Sequence, residues 1–303
     1  MTSLIESLKD FPYLGETLAL TSAFIWAAAV ILFSISGRKV NPLGLNFFKG
    51  IISILFFAGM ILMINQPILF KAPWQSYILL ALSGIIGIGI SETLFFASLN
   101  RLGAGLSAVV SCTYIPFVIV LSVAFIQEHM TLLQLFGVLL ITSAVLTISQ
   151  KKHESHIPRK DLISGISMGT ASMLTLAVGI VIMKPILNKS PLLWTTLVRL
   201  LGGVLFLSIL IYLNPRRREI LAAAFSPKNW GPMVPGSFLG GCIALLVWMG
   251  GMKYAQASQA SALSELNIIF IFILGAVFLK ERVTKGRIIA LFLAVVGAIL
   301  VTI

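Results

Sequence analysis

The 303-residue sequence predicts an all-α integral membrane fold, ten transmembrane helices arranged as two inverted five-helix repeats. Three observations lead there. First, the chain is 58% hydrophobic and only 11% charged, where soluble domains carry about 25% charged residues, and its mean hydropathy is +1.03. Second, apolar stretches of spanning length recur between short polar connections. In lipid the backbone must satisfy its own polar groups, so such stretches are helices. Third, a shift of 153 positions aligns residues 104–150 with 257–303 without a gap, with nine of 47 positions identical. Glu128 falls on Glu281, Thr131 on Thr284, Phe125 on Phe278 and Ser111 on Ser264. A unit of five spans is odd, so its second copy enters the membrane from the opposite face.

The elements follow in order. Residues 1–13 form an N-terminal extension; Glu6, Lys9 and Asp10 and the lack of a small-residue cleavage pattern argue against a cleaved leader. The first repeat, 14–150, is expected to hold spans at 14–36, 43–64, 75–98, 104–126 and 131–150. Asn41-Pro42 opens the second, with proline in the tolerated first turn, and Thr131 is placed to cap the fifth. A polar linker, 151–160 (KKHESHIPRK), joins the halves. The second repeat, 161–303, is expected to hold spans at 161–183, 191–213, 230–252, 257–279 and 285–303, with Ser190-Pro191 opening the seventh and Thr284 capping the tenth. Residues 214–229 form the longest connection within a half. Gly165 and Gly169, Gly236 and Gly240, and Ser83 and Gly87 are small residues four apart, which let helix backbones approach closely. The same seams are also candidates for sliding during function.

Composition excludes several functions. The net charge of +12 comes mostly from Lys and Arg in short loops, where they face headgroups, so nucleic acid is not the expected partner. Cys112 and Cys242 both lie within spans and form neither a disulfide framework nor a metal spacing. His153 and His156 stand three apart with no further ligands around them, so no metal and no cofactor is expected. There is no GxxxxGK[ST] motif, so ATP is not a direct driver through this chain.

Four ionisable residues lie well inside spans: Lys49, Glu92, Arg199 and Glu265. Each costs ~2.5–3.5 kcal/mol at the bilayer centre and needs a partner or a wet cavity. Call the face bearing the N-terminus side A and the other side B. Lys49 and Glu92 each lie six residues from side B, ~9 Å deep at 1.5 Å per residue. Arg199 and Glu265 each lie eight residues from side A, ~12 Å deep. Two ion pairs are therefore expected, Lys49–Glu92 and Arg199–Glu265, flanking a central cavity. The alternatives are a Lys49 that snorkels to the headgroups and pairs that act as static staples. A buried carboxyl has a raised proton affinity, which would suit it to exchanging protons with a solute.

The fourth and ninth spans hold the densest polar content. Ser111, Thr113 and Tyr114 precede Pro116, and Ser264, Glu265 and Asn267 occupy the related stretch. Pro116 lacks an N–H and is expected to leave a carbonyl free near Cys112. Ser258, Ser261, Ser264 and Glu265 share a helix face, which suits a cavity lining or polar contacts between helices. Asn46, Trp26 and Trp248 complete the candidate solute-binding or gating set. The corner glutamates Glu128 and Glu281 stand just before helix starts, where negative charge is favourable.

These residues resemble the EamA-type transporters of the drug/metabolite transporter superfamily. The likeness rests on Pro42 then Lys49, Pro191 then Arg199, a glycine-rich third span, and Glu128 and Glu281 at Glu-x-x-Thr corners, and it covers about residues 14–303. It departs where Ile269 takes the place of a second Pro116 and where Lys49 stands for the more usual arginine. The resemblance implies a secondary transporter of a small polar or amphipathic solute such as an amino acid, working by alternating access, coupled to protons or uncoupled, in a bacterial inner membrane. A multidrug exporter of the same fold is an alternative. An integral-membrane enzyme is the rival from another class, but no nucleophile–base or metal cluster supports it. The expected partners are the solute, membrane lipid and protons, and both a monomer and a homodimer fit. Lys and Arg in the connections number 15 on side B against 5 on side A, which puts both termini outside. The resemblance implies termini in the cytoplasm.

Overall fold

A computed structural model describes residues 13–67, 70–126, 131–133, 135–137, 139–140, 143–144, 157–264, 266–281 and 283–302. Among them, seven helices are long and apolar enough to cross a membrane, and two shorter apolar helices, Asn267–Phe278 and Ile288–Gly297, accompany them. The helices are α1 (Leu14–Ser36), α2 (Pro42–Met63), α3 (Trp74–Gly84), α4 (Ser91–Leu102), α5 (Ala104–Ser111), α6 (Tyr114–Ile126), α7 (Arg159–Lys189), α8 (Leu192–Leu213), α9 (Arg217–Ala224), α10 (Trp230–Ser237), α11 (Leu245–Tyr254), α12 (Ala257–Ser264), α13 (Asn267–Phe278) and α14 (Lys285–Thr302). A short π-helical stretch, Ile85–Ile90, joins α3 to α4, and a second, Phe238–Ala244, joins α10 to α11. Their first residues are 153 positions apart, so the repeat extends to this local irregularity. Single π turns of this kind gather at functional sites.

The expected boundaries need four corrections. The third span continues to Leu102 and contains the π turn. The sixth runs from Arg159 to Lys189, straight through Pro185. The fourth and ninth are each two helices, broken at 112–113 and around Leu266. In the fourth, Cys112 and Thr113 donate backbone N–H groups to Val109 and Val110, three residues back. In the ninth, Leu266 donates to Leu263 in the same way. Proline explains only one of these breaks, because the position matching Pro116 is Ile269. The carbonyl near Cys112 is also not free: it accepts from Ile115 N at 3.2 Å. Half of the fifth span, 131–150, lies outside the described residues.

Packing follows the repeat. α1 lies against α10, its π turn and α11, and also against α12 and α13. α7 lies against α3, its π turn and α4, and also against α5 and α6. α8 crosses between them, touching α2 and α3. The protein is thus two bundles that meet around α2 and α8.

The two seams hold by different means. Along α7 four serine bonds form a ladder: Ser83 Oγ donates to Gly179 O at 2.7 Å, Ser91 and Ser172 hydroxyls each donate to the other's carbonyl, and Ser98 Oγ donates to Gly165 O at 2.8 Å. Gly179 is needed there, since a Cβ would stand 3.0 Å from Gly87 Cα. The matching seam along α1 has Gly236, Ala244 and Gly251 where the ladder has its serines. There Gly240 admits the Phe33 ring, and Gly251 meets the α1 backbone at Ala19.

Candidate functional site

A cavity of about 130 Å³ lies where the two bundles meet. α1, α4, α5/α6, α7, α11 with its π turn, and α12/α13 all contribute to its wall. Six pairs of wall residues are related by the 153-residue shift: Ala23 and Leu176, Ser91 and Ala244, Glu92 and Leu245, Phe95 and Trp248, Ser111 and Ser264, Tyr114 and Asn267. The repeat therefore builds the shape of the wall, and divergence within the pairs sets its chemistry. Among the described wall residues Glu92 is the one charged group, and its partner position holds Leu245.

Lys49 Nζ pairs with Glu92 Oε2, and Lys49 is 1% exposed while Glu92 is 19% exposed. The lysine thus stands behind the wall and the carboxylate in it. Gly241 makes room for the lysine stem, as a Cβ there would sit 2.9 Å from Lys49 Cγ. Nothing snorkels to a headgroup from this position. Asn46, one turn earlier on α2, donates to Ile88 O at 2.8 Å and Thr93 Oγ1 at 3.0 Å, so it ties α2 to the π turn and does not line the cavity.

Aromatic side chains bound the cavity on several sides. Trp26 lies 6.0 Å from the Phe95 ring, and Trp248 and Tyr114 complete the set. Ser261 Oγ donates to the Tyr114 hydroxyl at 3.2 Å, which fixes Tyr114 across the α6–α12 junction. Ser264 and Asn267 line the cavity, and their Oγ and Oδ1 atoms are buried without a hydrogen-bond partner among the described residues. A buried polar atom left unsatisfied costs about 1–3 kcal/mol, and in this conformation both atoms are closed off from solvent.

Arg199 is placed elsewhere. It is 1% exposed, with Nε donating to Ser83 Oγ at 2.9 Å and Nη1 facing the sulfurs of Met183 and Met249. It lies behind the wall, against Gly87, where a Cβ would come 3.2 Å from Nη2. Its expected partner, Glu265, lies outside the described residues. Thr113 is also off the wall, with its hydroxyl bonded back to Val110 O at the helix break. Of the twelve candidates, the structure brings Trp26, Glu92, Ser111, Tyr114, Trp248, Ser264 and Asn267 together, and it leaves Lys49, Asn46, Thr113 and Arg199 outside the lining. Sequence reasoning missed Ser91, Phe95 and Leu176. Applying the 153-residue shift to the candidates themselves would have found Phe95 from Trp248.

Two clasps bridge the bundles at opposite faces. At side A, buried Lys184 of α7 donates to Met252 O and to Ala255 O at the end of α11, while Lys253 Nζ donates to Ser190 O at 2.6 Å. These cations sit where helix C-termini present unpaired carbonyls. At side B, Glu281 accepts from Ala104 N at 2.7 Å and Gly105 N at 3.1 Å. The corner glutamate therefore caps α5 of the other repeat. Gly103, at φ +78°, permits this, because a Cβ would lie 2.8 Å from Glu281 Oε1. Glu128, its repeat equivalent, lies outside the described residues, as do His129, His153 and His156.

Known proteins share this organisation. The family model described as the EamA-like transporter family matches residues 13–150 and 163–303. An uncharacterized transporter of Archaeoglobus fulgidus is 23% identical over 285 residues, covering 93% of this chain and 96% of that protein. A solved crystal structure superposes with a TM-score of 0.67 over 95% of this chain and 96% of its own, at 17% identity, a likeness of fold.

Proposed function

The chain belongs to the EamA-like transporter family, and from that premise we propose that this multi-pass membrane transporter moves a small polar solute through its central cavity by alternating access. Ten spans in two inverted five-helix repeats are part of the proposal. Matched wall residues and matched packing in the two halves support it. The observation that carries the reading is the cavity itself, lined by residues of both halves, with Glu92, Ser264 and Asn267 all in its wall. At about 130 Å³ it is smaller than the ~300–1,000 Å³ of drug-sized sites. That size favours a solute of amino-acid dimensions over a multidrug exporter.

The clasps supply the gates. Opening toward side A separates α7 from α11 and breaks the Lys184 and Lys253 bonds. Opening toward side B lifts the Glu281 corner from α5. With both formed, the bundles are held together at both faces. Glu92, the charged wall residue, favours a proton-coupled version in which protonation releases Lys49.

Ligand stabilisation of the purified protein tests the reading. Amino acids, small amines, sugars and drug-sized lipophilic cations are screened against the wild type and Asn267→Leu. A ligand at 100 times its dissociation constant stabilises the folded state by ~2.7 kcal/mol. A small solute that stabilises the wild type and not Asn267→Leu is expected. Stabilisation that survives the substitution moves the site away from this cavity, and a preference for the large cations removes the size argument. Proton coupling through Glu92 requires that Glu92→Gln abolish the pH dependence of solute uptake.

A further inference from the structure

We propose that residues 212–230 form a binding site for the headgroup of an anionic phospholipid at side B. The site goes beyond the transport reading and does not depend on it. α8 ends at Leu213 after 22 residues, a length of ~33 Å that crosses the hydrocarbon core. Arg216, Arg217 and Arg218 follow at once and are exposed. Lys228 is exposed just before the next span begins, so all four cations lie at headgroup depth.

The segment is built, not loose. α9 turns Ile220 and Ala224 inward onto α2, where Gly44 lets them approach: a Cβ on Gly44 would meet Ile220 Cγ2 at 3.1 Å. Phe225 packs edge-on against Phe48 at 5.5 Å between ring centres. The Arg217 guanidinium lies 5.2 Å from the centre of the Tyr212 ring and donates to Tyr212 O, which holds it at the rim. Arg216, Arg218 and Lys228 have no carboxylate partner among the described residues. Tyr212 and Trp230 are exposed beside them, the amphipathic aromatics that settle at a membrane interface. An apolar underside, an exposed face on which Arg216, Arg217 and Arg218 outnumber the one carboxylate, Glu219, and flanking aromatics are the features of a helix lying in the interface plane. The matching connection of the first half, 64–73, carries one cation, Lys71, and no helix among its described residues. The repeat scaffold therefore does not require α9.

Four cations recognise a phosphate whether it is free or esterified, but the aromatic flank and the depth select the lipid. The test uses the full-length protein in detergent, titrated by native mass spectrometry with dioleoyl phosphatidylglycerol, dioleoyl phosphatidylcholine or free glycerol phosphate. The wild type is expected to bind phosphatidylglycerol more tightly than phosphatidylcholine. The variant Arg216→Gln/Arg217→Gln/Arg218→Gln should lose about tenfold or more in phosphatidylglycerol affinity, while Lys71→Gln at the other face keeps it. Equal binding of the two lipids, or full affinity in the triple variant, overturns the proposal. Glycerol phosphate that displaces the lipid at equal concentration makes this a small-anion site and overturns it too. Should the triple variant not fold, Arg218→Gln and the salt dependence of the wild type decide. Binding indifferent to both overturns the site.

Discussion

Replacing Glu92 with glutamine leaves the Lys49 ammonium in place with its partner's charge removed. Lys49 is 1% exposed, packed between α2 and the π turn of the eighth span, and Gly241 and Ser53 close around its stem. Breaking a buried pair from one side costs ~3–5 kcal/mol because the survivor is an uncompensated charge. At ~2 °C of melting temperature per kcal/mol, the lower end of the range for large domains, Glu92→Gln should melt ~6–10 °C below the wild type. The double variant Glu92→Gln/Lys49→Met removes both charges and keeps the volume of the stem. Volume-conserving changes cost less than ~1.5 kcal/mol, so it should recover to within ~3 °C. Thermal unfolding of the purified protein in detergent, followed by intrinsic fluorescence, reads both. A double variant as unstable as Glu92→Gln would refute the reasoning, for then the loss comes from the shape of the wall and not from the charge.

Other expectations follow from single contacts. Gly84→Ala pushes a Cβ to 1.9 Å from Arg199 O, and overpacking of this kind costs ~1–3 kcal/mol or more; Gly59→Ala, with nothing within 4 Å, should be neutral or raise the melting temperature. Gly103→Ala adds a strained φ to a clash with Glu281 and should destabilise more than Glu281→Gln does. If the clasps are gates, Lys184→Met/Lys253→Met should raise labelling of a cavity cysteine at Ala23 from side A, while Glu281→Gln raises it from side B. Parallel changes from both sides would show that the clasps only stabilise.

The Lys49–Glu92 pair was legible because both residues are ionisable and stand toward the same end of neighbouring spans, although the third span runs on to Leu102 and sets Glu92 deeper than a count from residue 98 gives. The wall serines and asparagine were legible because polar side chains are costly in lipid and face inward. Arg199 was not. Depth placed it at the right level but says nothing of rotation about α8, which turns its guanidinium toward Ser83, Met183 and Met249. The bonds from Glu281 to α5 were hidden for a similar reason: sequence shows the helix start that follows a residue, and only the fold shows a start brought up from the other repeat.

Composition and the 153-residue shift by themselves settled that this is a helical membrane protein with a duplicated core, because hydrophobicity and periodicity are local and add along the chain. Which helices pair, which seam carries the serine ladder, where the spans break and which polar atoms remain unsatisfied were decided by tertiary structure alone. Those properties depend on distances between residues as far apart in sequence as Phe24 and Phe270, and no local pattern of side chains encodes such distances.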